Sequence, residues 1–149
     1  MNDFTTRRAG DDDIARVAPL FDAYRSFYGQ PSDVARADAF LRERHTRGES
    51  ALLLAERDGD VLGFAHLYPL FSSVRTARLW LLNDLFVADS ARRQGVARAL
   101  LDAAAAFAHE QGAAGLMLET TRDNGPARAL YRAAGWNEDA SQWYSLPLE

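Results

Sequence analysis

The stretch Leu79-Trp80-Leu81-Leu82-Asn83-Asp84-Leu85-Phe86-Val87 decides how this chain folds. It is apolar at almost every position, the mark of a strand covered on both faces and therefore central in its sheet. Asn83 and Asp84 alone interrupt it. Burying two polar side chains without partners is costly, so the interruption is the first pointer to a functional site. Just downstream, Arg92-Arg93-Gln94-Gly95-Val96-Ala97 leads into a segment with Val96, Leu100, Ala103 and Phe107 on one helical face, closed by Gly112. A strand, a short turn and a helix start leave free backbone N–H groups and the positive end of the helix dipole at the turn, where an anion is stabilised. Gly95 and Ala97 leave room for a phosphate to approach the backbone. Arg92, Arg93 and Arg98 add fork-shaped donors. On spacing alone, a phosphate site and a solvated basic turn are evenly matched.

Upstream of this centre, Phe4 to Arg8 alternates as an opening strand. Asp11-Asp12-Asp13 then places negative charge where a helix begins, carrying Ile14, Val17, Phe21, Tyr24 and Tyr28 three and four apart. A second helix is expected after Ser32, with Val34, Ala37 and Leu41. Ala51–Glu56 and Val61–Tyr68 read as strands joined through Asp58-Gly59-Asp60, a hairpin signal, with a loop from Pro69 to Thr76. Downstream, a strand over 116–120, a short helix over 126–134 and closing strands from Trp136 and over 142–148 are expected. The succession βααβββαβαββ predicts an α+β fold, a mixed sheet flanked by helices on both faces.

A chain of 149 residues fits a single domain, 1–149. It has no cysteine, and all 17 basic residues are arginine. Thiol nucleophiles, zinc–thiolate sites, the lysine of a phosphate-binding P-loop and Schiff-base lysines are thereby excluded. His45, His66 and His109 stand far apart without a His-Glu-x-x-His spacing, so no metal site is expected. A net charge of −4 and pI near 5.4 argue against nucleic-acid binding. No apolar run approaches the ~20 residues of a membrane span. The start lacks the basic and apolar pattern of a secretory signal, and the chain reads as cytoplasmic.

Arg92-x-x-Gly95-x-Ala97 resembles the pyrophosphate motif of the GCN5-related N-acetyltransferase (GNAT) superfamily, and Leu85-Phe86-Val87 sits where that family's central strand runs beside the pantetheine arm. Asn124-x-x-Ala127-x-x-Leu130-Tyr131, followed by Ala134-Gly135-Trp136, resembles the family's second signature. Trp80 to Val87, with Leu118-Glu119-Thr120 and Asp123-Asn124, is similar to the Hpa group of histone and polyamine acetyltransferases. The resemblance implies a GNAT (acyl-CoA N-acyltransferase) fold with a mostly antiparallel central sheet. It implies direct transfer of acetyl from acetyl-CoA to an amine of a small molecule, polyamine or protein, with no metal, and dimers as a common arrangement. It places the cofactor on Leu85, Phe86, Val87, Arg92, Arg93, Gln94, Gly95, Val96, Ala97, Arg98, Asn124, Ala127 and Tyr131.

Transfer requires a base for an ammonium whose pKa is near 10, a donor for an oxyanion, and an acid for the departing thiolate. The resemblance assigns the oxyanion donor to a backbone N–H around Leu85 or Phe86, and the acid to Tyr131. The glutamate that many family members carry at position 83 is here Asn83, which cannot act as a base. Asp84 and Glu119 are the remaining acids at or near strand positions, but strand alternation sets Asp84 and residue 83 on opposite faces. Asn124 reads as a hydrogen-bond partner of the pantetheine amides, with a cap on the helix that starts at Pro126 as the alternative. Tyr24, Phe27, Tyr28, His66, Tyr68 and Phe71 are either core or lining of an acceptor pocket. Asn83 also admits a non-catalytic acyl-CoA-binding module. Arginine to the exclusion of lysine, with abundant alanine, points to a GC-rich bacterial gene.

Overall fold

The computed structural model describes residues 3–148, arranged as two compact units divided between Glu119 and Thr120. The first unit holds strands β1 (Thr5–Arg8), β2 (Ala51–Arg57), β3 (Asp60–Ser72), β4 (Ala77–Val87) and β5 (Gly115–Met117), with helices α1 (Ile14–Phe27), α2 (Val34–Thr46) and α3 (Val96–Glu110). They form one open sheet in the order β1-β2-β3-β4-β5. All neighbours are antiparallel except β4 and β5, which run parallel because α3 crosses over between them.

The β2–β3 turn is the hairpin read from the sequence: Asp58 and Gly59 both adopt positive φ, 50° and 85°, the geometry of a tight two-residue turn. The β3–β4 connection is shorter than expected. Pro69 to Ser72 continue β3, so β3 and β4 stay paired down to Ser72 and Ala77.

Helices cover both faces. Phe64 lies on the α1 side, its ring 5.8 Å from Phe21 and 5.7 Å from Tyr24. Gly63, one residue earlier, faces α3, where an added Cβ would meet Val96 and Leu100 side chains at 3.1 and 3.2 Å. Ile14, Val17, Leu41, Leu54 and Phe64 fill the α1–α2 side of the core. Leu100, Leu101, Ala104 and Phe107 of α3 are buried, with Trp80 set edge-on to Phe107 at 4.9 Å. No helix among the described residues is long and apolar enough to cross a membrane.

The second unit holds α4 (Gly125–Ala133), capped by Asn124. The two closing strands expected after it do not form: residues 134–148 carry no strand. A strand exists only where a neighbouring strand supplies ladder partners. Here the backbone turns back on α4 instead, with the Trp136 N–H donating to the Tyr131 carbonyl at 2.9 Å. The strand expected over 116–120 is likewise cut to Gly115–Met117, so Glu119 lies beyond its end.

Candidate active site

The centre of β4 is irregular. His66 of β3 pairs with Asp84, but the next β3 residue, Leu67, pairs with Leu82. Asn83 is therefore the extra residue of a β-bulge, which re-aims side chains and disturbs the ladder. The expected opposition of positions 83 and 84 is overturned by this bulge: the Asn83 side-chain amide donates to Asp84 Oδ1 at 3.0 Å. Asn83 is exposed, whereas Asp84 is 7% exposed.

Three side chains hold the Asp84 carboxylate. Tyr24 of α1 donates its hydroxyl to Oδ1 at 2.8 Å, Asn83 shares that oxygen, and His66 Nδ1 lies 3.1 Å from Oδ2. Burial, followed by the charge and the hydrogen bond of Asp84, pushes the Tyr24 hydroxyl far above its ordinary pKa, so Tyr24 remains a donor. Tyr68 is pushed up to about 12, chiefly by burial and then by Asp84. Of the residues read as either core or pocket lining, Tyr24, His66, Tyr68 and the exposed Phe27 and Tyr28 join one ring-contact network through Phe21 and Phe86. His66 is fully buried and belongs to the core. Phe71 lies apart from this network, with Arg78 over its ring.

The other edge of β4 is open. Its ladder with β5 covers only Leu79, Trp80 and Leu81. The Ala88 N–H bonds Leu62 across β3 at 2.8 Å. Antiparallel alternation then turns the amide of Phe86 toward β3 and those of Leu85 and Val87 toward the open edge. Of the two residues offered as backbone donors, Leu85 is the one on that edge. Arg92 reaches it too, its Nε donating to the Val87 carbonyl at 3.3 Å and its guanidinium lying over Phe86.

Past β4 the backbone turns through two left-handed residues, Arg93 (φ 64°) and Gly95 (φ 82°), into α3. Helices α2 and α4 begin with side-chain caps, from Asp33 and Asn124. Helix α3 begins at Gly95, which has no side chain to offer, so Gly95 leaves the first-turn N–H groups of Val96, Ala97 and Arg98 uncapped. A Cβ on Gly95 would meet nothing within 4 Å. Arg93 is exposed here; Gln94 is tied to Arg57 and to the Ser90 carbonyl, and Arg98 pairs with Asp102. These residues fit a pyrophosphate: uncapped amides, open space over a glycine, and arginines alongside.

The remaining predicted residues are placed as follows. Glu119 is exposed. Asn124 caps α4, its Oδ1 accepting from the Ala127 N–H at 3.3 Å. Tyr131 is half-buried on α4, its ring 6.3 Å from Trp136. The acidic run near the N-terminus is structural: Asp13 binds Arg7 and Arg16 and the Gly10 N–H, while Asp11 meets His45 at 2.7 Å. Sequence reasoning missed the bonds of Tyr24 and His66 to Asp84. Their signal was present only as aromatic and imidazole positions on the α1 and β3 faces that turn toward Asp84.

Residues 17–136 match the acetyltransferase (GNAT) family. The chain is 47% identical over 133 residues to the uncharacterized N-acetyltransferase YhfO of Bacillus subtilis, spanning 89% of each protein. A crystal structure of a probable acetyltransferase superposes with a TM-score of 0.92 at 40% identity, over 97% of this chain and 98% of the other. The D-amino-acid N-acetyltransferase HPA3 of Saccharomyces cerevisiae is 32% identical over 89 residues, 60% of this chain and 55% of its own, which supports the Hpa resemblance in part.

Proposed function

The chain belongs to the GNAT family and is an acetyltransferase, and from that premise we propose that it moves acetyl from acetyl-CoA directly to a primary amine. The observation that carries the donor is the open edge of β4 leading to the uncapped start of α3. An extended chain with amide groups can bond to such an edge, and a pyrophosphate suits a helix start with free amides. Acetyl-CoA has both parts in that order and supplies the reactive thioester.

Within this reading Leu85 offers its outward N–H to a developing oxyanion, a fixed donor that needs no reorganisation. Arg92, Arg93, Gly95, Val96, Ala97 and Arg98 hold the pyrophosphate, with Gln94 fixing the turn. Asp84 receives the proton of the incoming ammonium, since Asn83 cannot. Glu119 is the weaker choice because it lies exposed past β5. Tyr131 protonates the departing thiolate.

The test is release of CoA thiol from acetyl-CoA in the presence of spermidine, spermine, small amines, amino acids and a basic peptide. The chain has no thiol of its own, so the readout is clean. Turnover with an amine is expected. Tight CoA binding by calorimetry with no amine acetylated replaces this reading with a non-catalytic acyl-CoA-binding module, for which Asn83 is the supporting residue.

A further inference from the structure

Two stretches of this chain each hold half of a strand pair. β5 closes the sheet on one side, and among the described residues it pairs with β4 alone, so its outer N–H and C=O groups face no strand. Beyond being short, a protected edge carries a charge, a proline or a bulge. Residues 115–118, Gly-Leu-Met-Leu, carry none of these, and all four are half-exposed. The apolar surface continues beside them. Arg75 holds the β3–β4 tip at the start of β5, its Nη2 donating to the Ala114 carbonyl at 3.3 Å, and that tip presents exposed Phe71 and Val74.

Residues 142–148, Gln-Trp-Tyr-Ser-Leu-Pro-Leu, are the complement. In extended form Tyr144, Leu146 and Leu148 fall on one face, and the aromatic pair favours a strand. Yet the segment carries no strand, and Trp143, Tyr144, Leu146 and Leu148 are between 71% and 91% exposed. Pro147 has no N–H to give, which suits an outermost strand that pairs along one edge only. Neither stretch holds a charge, so joining them strips no ion of its water. The two rings alone offer about 300 Å² per chain. Two such arms on two receiving edges cover roughly 1,200 Å², the lower bound of a stable interface, before the leucines are counted.

We propose that a second copy of this chain covers β5: residues 142–148 of each protomer add to β5 of the other as an outermost strand. The exchange is reciprocal, so the same two patches meet twice about a two-fold axis. Backbone hydrogen bonds hold the added strand, and its alternate apolar side chains select the edge it joins. Within one chain both halves stand unpaired among the described residues, whereas one contact in the dimer satisfies both. Because the joined stretches are uncharged, salt does not weaken the assembly. The assembly requires neither the acetyl donor nor the acceptor.

Light scattering and crosslinking on the full chain test this. The wild type should have the mass of a dimer in low and high salt alike. Leu146→Asp alters an exposed side chain, so it should yield a monomer that keeps the far-UV circular dichroism of the wild type. The chain has no cysteine, so a pair can be placed at will. Met117→Cys and Ser145→Cys in one chain, treated with a short bismaleimide, should give covalent dimers on a denaturing gel. Joining within one chain, seen as a faster-running monomer, would show that the arm closes on its own β5 and would overturn the exchange. A monomeric wild type overturns it too, as does a dimer that Leu146→Asp leaves intact and whose paired cysteines do not join.

Discussion

Tyr131 and Gly95 separate chemistry from binding at the level of single residues. Tyr131 stands on α4 with its ring against Trp136. Phenylalanine there keeps the ring and removes the hydroxyl. Tyr131→Phe should therefore lower kcat by ~10²-fold, within the usual range of general acid catalysis, with acetyl-CoA affinity unchanged by calorimetry. An unaltered kcat would remove Tyr131 from the mechanism. Gly95 carries the opposite prediction. Its φ of 82° costs a side-chain-bearing residue about 1–2 kcal/mol, and a methyl group would project into the space a phosphate needs. Gly95→Ala should lower Tm by a few degrees and weaken CoA binding at least tenfold, while kcat at saturating acetyl-CoA stays near that of the wild type. Equal CoA affinity in the two proteins would show that the α3 start is not the phosphate site.

The sheet and α3 depend on each other at Gly63, where β3, β4 and α3 meet. An added Cβ there would lie 2.9 Å from the Phe86 carbonyl oxygen, a backbone atom that cannot swing aside. Gly63→Ala should destabilise the fold by roughly 1–3 kcal/mol, the usual cost of overpacking, seen as a lower urea midpoint at unchanged slope. Most elements were legible from the sequence because each rested on a local signal. Asp58-Gly59 announced its turn, and the three-and-four spacing of Ile14, Val17, Phe21 and Tyr24 announced α1. The bulge at Asn83 was not legible, since a run apolar on both faces looks the same before and after a one-residue slip. The site followed the same division. The α3 start could be read from Arg92, Gly95 and Ala97, but the bonds from Tyr24 and His66 to Asp84 join positions 60 and 18 residues apart in sequence. The closing strands failed for a related reason: apolar residues at Trp143, Tyr144, Leu146 and Leu148 satisfy a strand pattern, yet only a partner strand can make it one.

The pH dependence of stability in the first unit is set far from the site, where β1, β2 and the start of α1 converge. Asp13 is held well below the usual carboxylate range, first by its hydrogen bonds to the Arg7 guanidinium. Glu56 is lowered by Arg7 and then Arg16, and Asp22 by the Ser32 hydroxyl and the Asp33 N–H. A carboxylate whose folded pKa lies below its unfolded value stabilises the fold fully above the unfolded value. That contribution is lost as pH falls through and below it. The fold should therefore keep its stability from neutrality down to about pH 5 and lose it steadily below about pH 4. Asp13 should dominate, because its side chain is 10% exposed and bridges three elements, while Arg7 and Arg16, at 42% and 33% exposure, are screened by water. Asp13→Asn should cost roughly 1–3 kcal/mol at pH 7, and the cost should shrink steadily below about pH 4, where the unfolded carboxylate takes up a proton that the folded one still refuses. Urea unfolding of both proteins between pH 7 and pH 2 reads the difference directly. Curves that stay parallel over that range would show that Asp13 stabilises through its shape and neutral contacts, and that the acid sensitivity of the fold arises elsewhere.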